Sequence, residues 1–399
     1  MDDASREGNS LSRRDLLKRG AVLGLGAAAL GVLYKTRDKW MPETSPQGPP
    51  HFPEPPPAAP ESAVAKEPLQ EVPTEFGFNT HMFVNPAEND NQTLEAFKQN
   101  VDQIAGMGQK WIRFNFSEWE ILSPSDTSGI HWADTVTQYD EAVDYAKDAG
   151  LNIFFVATPP SFARDYAFDE YKTVVNEYYG TLAERYRGKI DVWQICNEPD
   201  IHNFQTYGVN LHQLLDEDYI DQLTEVIKIA SSAIKTVDPE AKTTANLDNW
   251  IGHRTDLMKK GSYFYDRLGD AIDLITLDLY PENNIGEIER LPEYVSYFEK
   301  RYNKPVFIGE LGLSTYGQFS EYDQAAYLSM AIDALKDGRT QPRAILIYKL
   351  TDSVTQEDNV FNHFGLQGPD GTPKKAFQPV VDRMQIDEEE VTPEKKIAA

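Results

Sequence analysis

Two glutamates at the ends of strand-like runs carry the clearest chemical signal in this sequence. Residues 189–196 are mostly apolar or β-branched, and the run stops at Glu198 and Pro199 because proline cannot donate to a strand ladder. A second run, 304–309, ends at Glu310 between two glycines. Two such carboxyl groups can cleave a glycosidic bond by double displacement, since one protonates the leaving oxygen and the other attacks the sugar.

Strand-like and helix-like stretches alternate through the region that follows the first seventy or so residues. Strands are predicted at 76–81, 111–116, 152–157, 191–197, 242–247, 274–280, 305–310 and 344–350. Helices are predicted at 94–106, 135–150, 169–187, 218–237, 254–268, 292–302, 321–338 and, as a terminal piece, 379–384. This order predicts a single (β/α)8 TIM barrel of the α/β class.

Strand ends carry the chemistry in a TIM barrel, because the loops at that face build the active site. Besides the two glutamates, the predicted strand ends and the residues just after them hold several polar or aromatic side chains. These candidates are His81, Arg113, Asn197, Trp250, Tyr280, Tyr348 and Asp352.

The chain resembles clan A of the glycoside hydrolases, the group that contains the cellulase-like and β-xylosidase-like families. Two motifs carry the resemblance, which extends over the whole predicted barrel. They are Asn197-Glu198-Pro199 after strand four and Gly309-Glu310 on strand seven. The second glutamate, on the expected strand, makes the resemblance specific, since a lone Asn-Glu-Pro is a weak signal.

The resemblance implies a role for each matching residue. Glu198 is expected to be the general acid and then the general base, with Asn197 bonding the sugar's 2-hydroxyl. Glu310 is expected to be the nucleophile, kept ionised by Arg113 and hydrogen-bonded by Tyr280. A neighbouring guanidinium favours an ionised carboxylate, whereas an acid catalyst must retain its proton. The expected outcome is retention of configuration, with carboxyl groups about 5 to 5.5 Å apart.

Aromatic positions leave the identity of the sugar open. Tyr348 stands where many clan members have a tryptophan on strand eight, and Phe162 stands where relatives often have one after strand three. Trp119, Phe162 and Trp250 can stack on a sugar or pack in the core. His81 is equally compatible with a sugar contact and with a packed core position.

Composition excludes several classes of protein. The net charge is -26, and because residues 1–68 hold nine basic and nine acidic side chains, the other 29 basic and 55 acidic residues carry the imbalance. Such acidity disfavours nucleic acid or an anionic membrane surface as partner, and it suits either a high-salt or an ordinary exported protein. The single cysteine, Cys196, excludes an intramolecular disulfide.

No cofactor is expected. The seven histidines form no pair at a predicted strand end, which disfavours a metal-dependent hydrolase, and no glycine-rich phosphate or dinucleotide fingerprint follows a strand. A non-catalytic carbohydrate-binding barrel at the cell envelope is the other alternative. Both glutamates, Asn197 and Arg113 are present, which favours the enzyme and a carbohydrate substrate.

The N-terminus resembles a twin-arginine export signal, because Arg13 and Arg14 precede the weakly apolar, glycine-rich run 20–34. The export machinery is then a partner, and the segment is either cleaved or kept as a membrane anchor. The expected location is extracellular, periplasmic or on the outer face of the cytoplasmic membrane. The predicted divisions are a signal or anchor at 1–40, a proline-rich linker at 41–73, the barrel at 74–386 and a disordered tail at 387–399.

Overall fold

The computed structural model describes residues 72–83, 91–116, 122–124, 130–160, 166–199, 217–250, 257–280, 285–337, 341–355 and 358–385. The predicted signal and tail lie outside these residues, as do nearly all of the predicted linker and both Trp119 and Phe162. Among the described helices, none has the length and apolarity that crossing a lipid bilayer requires.

The strands occur in the described residues in the predicted order. They are β1 (Glu75–Asn79), β2 (Trp111–Phe116), β3 (Leu122–Pro124), β4 (Ile130–Trp132), β5 (Asn152–Ala157), β6 (Val192–Gln194), β7 (Lys242–Thr244), β8 (Asn246–Trp250), β9 (Ile275–Tyr280), β10 (Val306–Leu311) and β11 (Ala344–Ile347). β3 and β4 form a small antiparallel pair that the sequence did not predict. β6 is shorter than predicted.

Helices follow the barrel strands and cover the sheet. They are α1 (Leu94–Gly106), α2 (Val136–Asp148), α3 (Phe168–Arg185), α4 (Glu217–Val237), α5 (Leu257–Leu268), α6 (Leu291–Tyr302), α7 (Glu321–Asp337) and α8 (Phe377–Arg383). Local signals set some of these ends. Thr93 caps α1 by accepting from the Ala96 N–H, and α6 ends at Asn303 in the left-handed conformation.

The large sheet closes into a barrel. Its order is β7-β6-β5-β2-β1-β11-β10-β9-β8, and neighbouring strands pair in parallel. The two edge strands, β7 and β8, are separated along the chain only by Ala245, so one interrupted strand joins both edges. The predicted (β/α)8 barrel is therefore confirmed, with its fifth strand in two parts.

Alternation along each strand divides the core into two regions. Side chains that face outward, such as Ile112, Trp193 and Leu277, pack with the helices in one large apolar core. Inward side chains at the amino end of the barrel form a second, separate cluster. Its members are Trp111, Phe154, Val192, Leu274, Phe307, Ala344 and Leu346. The carboxyl end of the same interior is lined by polar side chains.

Candidate active site

Glu198 lies four residues beyond the end of β6, at the carboxyl end of the barrel. Its backbone has a φ of 44°, in the left-handed region that non-glycine residues rarely adopt. The Glu198 N–H donates to Asn246 Oδ1 at 2.8 Å, which fixes this conformation from the neighbouring strand β8. The side chain is buried. The local backbone is therefore shaped to present one carboxyl group.

Glu310 faces the barrel interior because β10 carries a bulge at Gly309. The register of β10 with β9 shifts between Ile308 and Glu310, so one extra residue is inserted there. Phe307 belongs to the inward cluster and Leu311 to the outer core, so the bulge resets the alternation and turns Glu310 inward. A Cβ on residue 309 would lie 2.6 Å from a side-chain carbon of Thr276 on β9, so only glycine fits.

Both oxygens of Glu310 have donors. Arg113 Nη1 donates to Oε1 at 2.5 Å, and the Tyr280 hydroxyl donates to Oε2. Arg113 and Glu310 are only 1% and 6% exposed, so this ion pair is screened little by water. Glu310 therefore has the two partners that the resemblance to clan A implied for the nucleophile.

Arg113 is itself held by a ring of amides. Its guanidinium donates to Asn79 Oδ1 at 2.6 Å, to Gln194 Oε1 at 3.2 and 3.0 Å, and to Asn197 Oδ1 at 2.8 Å. Asn197 Nδ2 points the other way and donates to Glu198 Oε2 at 3.3 Å. The amides fix the orientation of the guanidinium, and one of them links it to the second carboxyl group.

Three carboxyl groups meet at this point. One oxygen each of Glu198, Glu310 and Asp278 lies within 4.8 Å of the others. Asp278 lies on β9, is wholly buried and accepts from Asn246 Nδ2. The structure thus brings together the two predicted glutamates and adds an aspartate that the sequence analysis did not single out.

The electrostatics of Glu310 differ from the expectation in one respect. Burial raises the pKa of Glu310 above its ordinary value, and the nearby Glu198 raises it further, whereas Arg113 and the hydrogen bond from Tyr280 lower it. Arg113 thus favours the ionised form as predicted, but it offsets only part of the effect of burial. The pKa of Tyr280 is raised well above its usual range, chiefly by burial and then by Glu310, so its hydroxyl remains a donor.

A family model decides the relationship of the chain to known proteins. The model of the cellulase family, glycosyl hydrolase family 5, matches residues 66–340. The chain belongs to this family. A search of curated protein sequences finds no match.

Solved structures share the barrel of this family 5 chain. GH5_18 from Streptomyces cattleya in complex with GlcNAc has 14% sequence identity and a TM-score of 0.62, over 78% of this chain and 79% of that chain. A β-glucosidase from Thermotoga maritima in complex with deoxynojirimycin has 14% identity and a TM-score of 0.60, over 80% of this chain and 100% of that chain. At these identities the similarity shows the fold, and family membership shows a glycosidase.

Aromatic rings line the family 5 site beside Glu310. His81 follows β1 and approaches the Tyr348 hydroxyl through Nε2 at 3.3 Å, with the two rings edge to face. Tyr348 also contacts Tyr280 and Phe364 edge to face. Burial, followed by the charges of Lys349 and Arg113, lowers the pKa of His81 well below its usual value, so the ring is neutral at pH 7.

Two predicted positions are less informative. Trp250 ends β8 at the carboxyl face, but its side chain lies outside the described part of the structure. Asp352 forms a buried ion pair with Lys374 at 2.6 Å and accepts from the Gly365 N–H at 2.7 Å. Asp352 therefore anchors the segment after β11.

Four residues of the site were missed by the sequence analysis, namely Asn79, Gln194, Asn246 and Asp278. Each lies on a barrel strand and is buried within the polar network. A signal was present, since a polar side chain within a buried strand is costly unless it is hydrogen-bonded.

Proposed function

We propose that this family 5 chain is a retaining β-glycosidase that cleaves an extracytoplasmic poly- or oligosaccharide. The observation that carries the proposal is the pair of buried glutamates whose nearest oxygens lie within 4.8 Å of each other, one of them bonded by Arg113 and Tyr280. Retaining enzymes keep their carboxyl groups about 5 to 5.5 Å apart, whereas inverting enzymes leave about 6.5 to 9.5 Å for a water molecule.

The first proposed step forms a glycosyl-enzyme. The Glu310 carboxylate attacks the anomeric carbon and forms a carbon–oxygen bond, while Glu198 gives its proton to the glycosidic oxygen and the leaving group departs. In the second step Glu198 takes a proton from water, the resulting oxygen attacks the same carbon, and the bond to Glu310 breaks. Two inversions give net retention.

The network around Glu310 prepares it for this role. Charge leaves the carboxylate during attack and returns during release, and the fixed donors on Arg113 and Tyr280 need no reorganisation in either direction. The Asn197 amide lies between Arg113 and Glu198, where it can also bond the hydroxyl next to the reacting carbon. The rings of His81 and Tyr348 supply an apolar wall for the sugar.

Turnover of a substrate panel tests the proposed reaction. We would assay aryl β-glycosides and β-glucans at low and high salt with the full chain, Glu198→Gln and Glu310→Gln. We expect release by the parent chain and loss in both variants. Azide is expected to restore turnover of an activated glycoside in Glu198→Ala, because the small anion can attack the glycosyl-enzyme where the general base is missing.

Sugar binding distinguishes the alternative, a non-catalytic carbohydrate-binding barrel. No release from any substrate, together with unchanged sugar binding in both glutamine variants, would contradict hydrolysis and favour that barrel.

The proposed site of action outside the cytoplasmic membrane is supported by the twin-arginine pattern. Replacement of both Arg13 and Arg14 by lysine is expected to leave the chain in the cytoplasm, whereas Lys18→Arg is a matched control that keeps the pair. Fractionation of the producing cells checks this. Equal export of the double variant and the control would contradict a twin-arginine route.

A further inference from the structure

Asp278 is a third carboxyl group in the site, and the two-glutamate reaction assigns it no role. It is 0% exposed, and one of its oxygens lies within 4.8 Å of oxygens of Glu198 and Glu310. Asp278 Oδ2 accepts from Asn246 Nδ2. Its other oxygen, Oδ1, is buried and has no hydrogen-bond partner in the described part of the structure.

The positive charge near Asp278 is enough for one ionised carboxyl group but not for a second. Three charged or acidic groups face it: Glu310 from β10, Glu198 from the segment after β6, and Arg113 from β2. Arg113 donates to Glu310 and to three amides, with no hydrogen bond to Asp278 among the described contacts. Once Glu310 is ionised, the single cation is matched, and an ionised Asp278 would be an uncompensated buried charge.

Other titratable groups near Asp278 add no positive charge. Tyr280 lies on the same strand, and Cys196, Tyr265 and Tyr348 lie within electrostatic reach of the carboxyl group. All four are neutral at pH 7 in this buried environment. Burial, followed by the charge of Glu310, raises the pKa of Asp278 well above its ordinary value.

Hydrogen bonds through Asn246 link Asp278 to the backbone of the general acid, Glu198. Asn246 donates to Asp278 Oδ2 through Nδ2, which leaves Asn246 Oδ1 to accept the Glu198 N–H at 2.8 Å. That N–H belongs to the residue with the left-handed backbone. A carboxylic acid suits this position, because Oδ2 can accept from Asn246 while the buried Oδ1, which accepts no hydrogen bond among the described contacts, carries the proton.

We propose that Asp278 works as a protonated carboxylic acid, a positioning residue that fixes Asn246 and through it the Glu198 backbone without placing a second negative charge beside the nucleophile. The bulge on β10 provides the space, since a Cβ on residue 309 would lie 2.7 Å from Asp278 Oδ1. The proposal rests on the proposed function for its kinetic test, and a spectroscopic test is independent of turnover.

The kinetic test compares two replacements of Asp278 in the full chain. Asp278→Asn keeps an acceptor for Asn246 and cannot ionise, so we expect kcat within about threefold of the parent and the alkaline limb of kcat/KM within about 0.3 pH unit. Asp278→Leu has similar bulk and no acceptor, so we expect kcat to fall about 10- to 100-fold through misplacement of Glu198, with little change in KM. Thermal melting of both variants shows whether they fold.

An ionised Asp278 would give a different result. Loss of its negative charge in Asp278→Asn would make the acid easier to deprotonate and move the alkaline limb to lower pH by about one unit or more. Such a shift would overturn the proposal.

Infrared spectroscopy reports the proton on Asp278 directly. We would compare Glu198→Gln with Glu198→Gln/Asp278→Asn at pH 7, so that the carboxyl group of the general acid is absent from both proteins. We expect a carbonyl band of a protonated carboxylic acid in the first protein and its loss in the second. Identical spectra in that region would overturn the proposal, as would a band that disappears on addition of Mg²⁺ or Ca²⁺, because Asp278 would then ionise to bind the cation together with Glu310.

The two tests separate the inference from the proposed function. A protein that hydrolyses no substrate yet shows the band would contradict only the glycosidase reaction. An active protein without the band would contradict only the role of Asp278.

Discussion

The two ends of the barrel interior differ in chemistry although the same strands build them. On β2, the inward side chain at the amino end is Trp111, and the next inward side chain, two residues later, is Arg113. On β6, Val192 is followed in the same way by Gln194. The amino end is closed by seven apolar side chains that stabilise by burial. At the carboxyl end the buried polar groups depend on one another for hydrogen bonds.

Along a single strand, the inward residue at the amino end therefore contributes to stability, and the inward residue at the carboxyl end contributes to function. Removal of a side chain from the amino end leaves a cavity, whereas removal of one from the carboxyl end leaves a neighbour without its partner. The following experiments use that contrast, in order of decreasing expected effect.

Glu310→Gln is expected to have the largest effect, because it removes the nucleophile and keeps the shape of the side chain. We expect kcat to fall roughly 10⁴- to 10⁶-fold. The matched control is Glu75→Gln at the opposite end of the barrel, where Oε2 accepts from Trp111 Nε1 at 2.6 Å. Glutamine can still accept there, so kcat should stay within about twofold. A similar loss of kcat in both variants would contradict the division between the two ends.

Lys374→Met is expected to lower the free energy of unfolding by about 3 to 5 kcal/mol, because it leaves the buried Asp352 carboxylate without its cation. The two side chains are 9% and 7% exposed. Lys189→Met is the control, since Lys189 pairs with Asp144 at the surface and its loss should cost no more than about 1 kcal/mol. Urea unfolding of both variants measures the difference. Equal losses would mean that burial does not control the strength of these pairs.

Leu346→Ala tests the amino end. This side chain is wholly buried in the apolar cluster, so the free energy of unfolding should fall by about 2 to 5 kcal/mol. The folded fraction should keep its kcat within about threefold, because Leu346 lies at the amino end of the interior and the described contact between this cluster and the site is made by Phe154, whose ring lies against the Arg113 guanidinium. Loss of kcat with unchanged stability would contradict the separation.

Tyr280→Phe is expected to have the smallest effect, since it removes one hydrogen bond to a charged group. A loss of about 1.5 to 3 kcal/mol corresponds to roughly a 10- to 150-fold lower kcat/KM. That bond lowers the pKa of Glu310, so its removal raises that pKa and moves the acid limb of the pH profile to higher pH. An acid limb that stays in place would show that Tyr280 does not act on Glu310.

The sequence predicts more of the fold than of the site. Alternation of strands and helices predicted the barrel, and the two strand-end glutamates were predicted to meet at its carboxyl face, whereas the places of Arg113 and Tyr280 beside Glu310 were implied by the resemblance to clan A. These features depend on local pattern and on the rule that parallel strands end at one face.

The missed residues depend on side-chain direction inside the strands. Asp278 lies inside β9 and Gln194 lies inside the predicted strand 191–197, so a search for polar residues at the predicted strand ends passes over them. The bulge at Gly309 depends on close packing against β9, which no local pattern displays. The break at Ala245, which divides the fifth barrel strand into β7 and β8, is likewise visible only in the pairing of the strands.

Capture of the glycosyl-enzyme tests the role of Glu310 most directly. The full chain would be treated with the activated 2-deoxy-2-fluoro analogue of whichever glycoside it cleaves, digested and examined by mass spectrometry. We expect the added sugar on the peptide that contains Glu310, and none in Glu310→Gln. A sugar on Glu198 instead, or a first product of inverted configuration with no adduct, would contradict the assignment of Glu310 as the nucleophile.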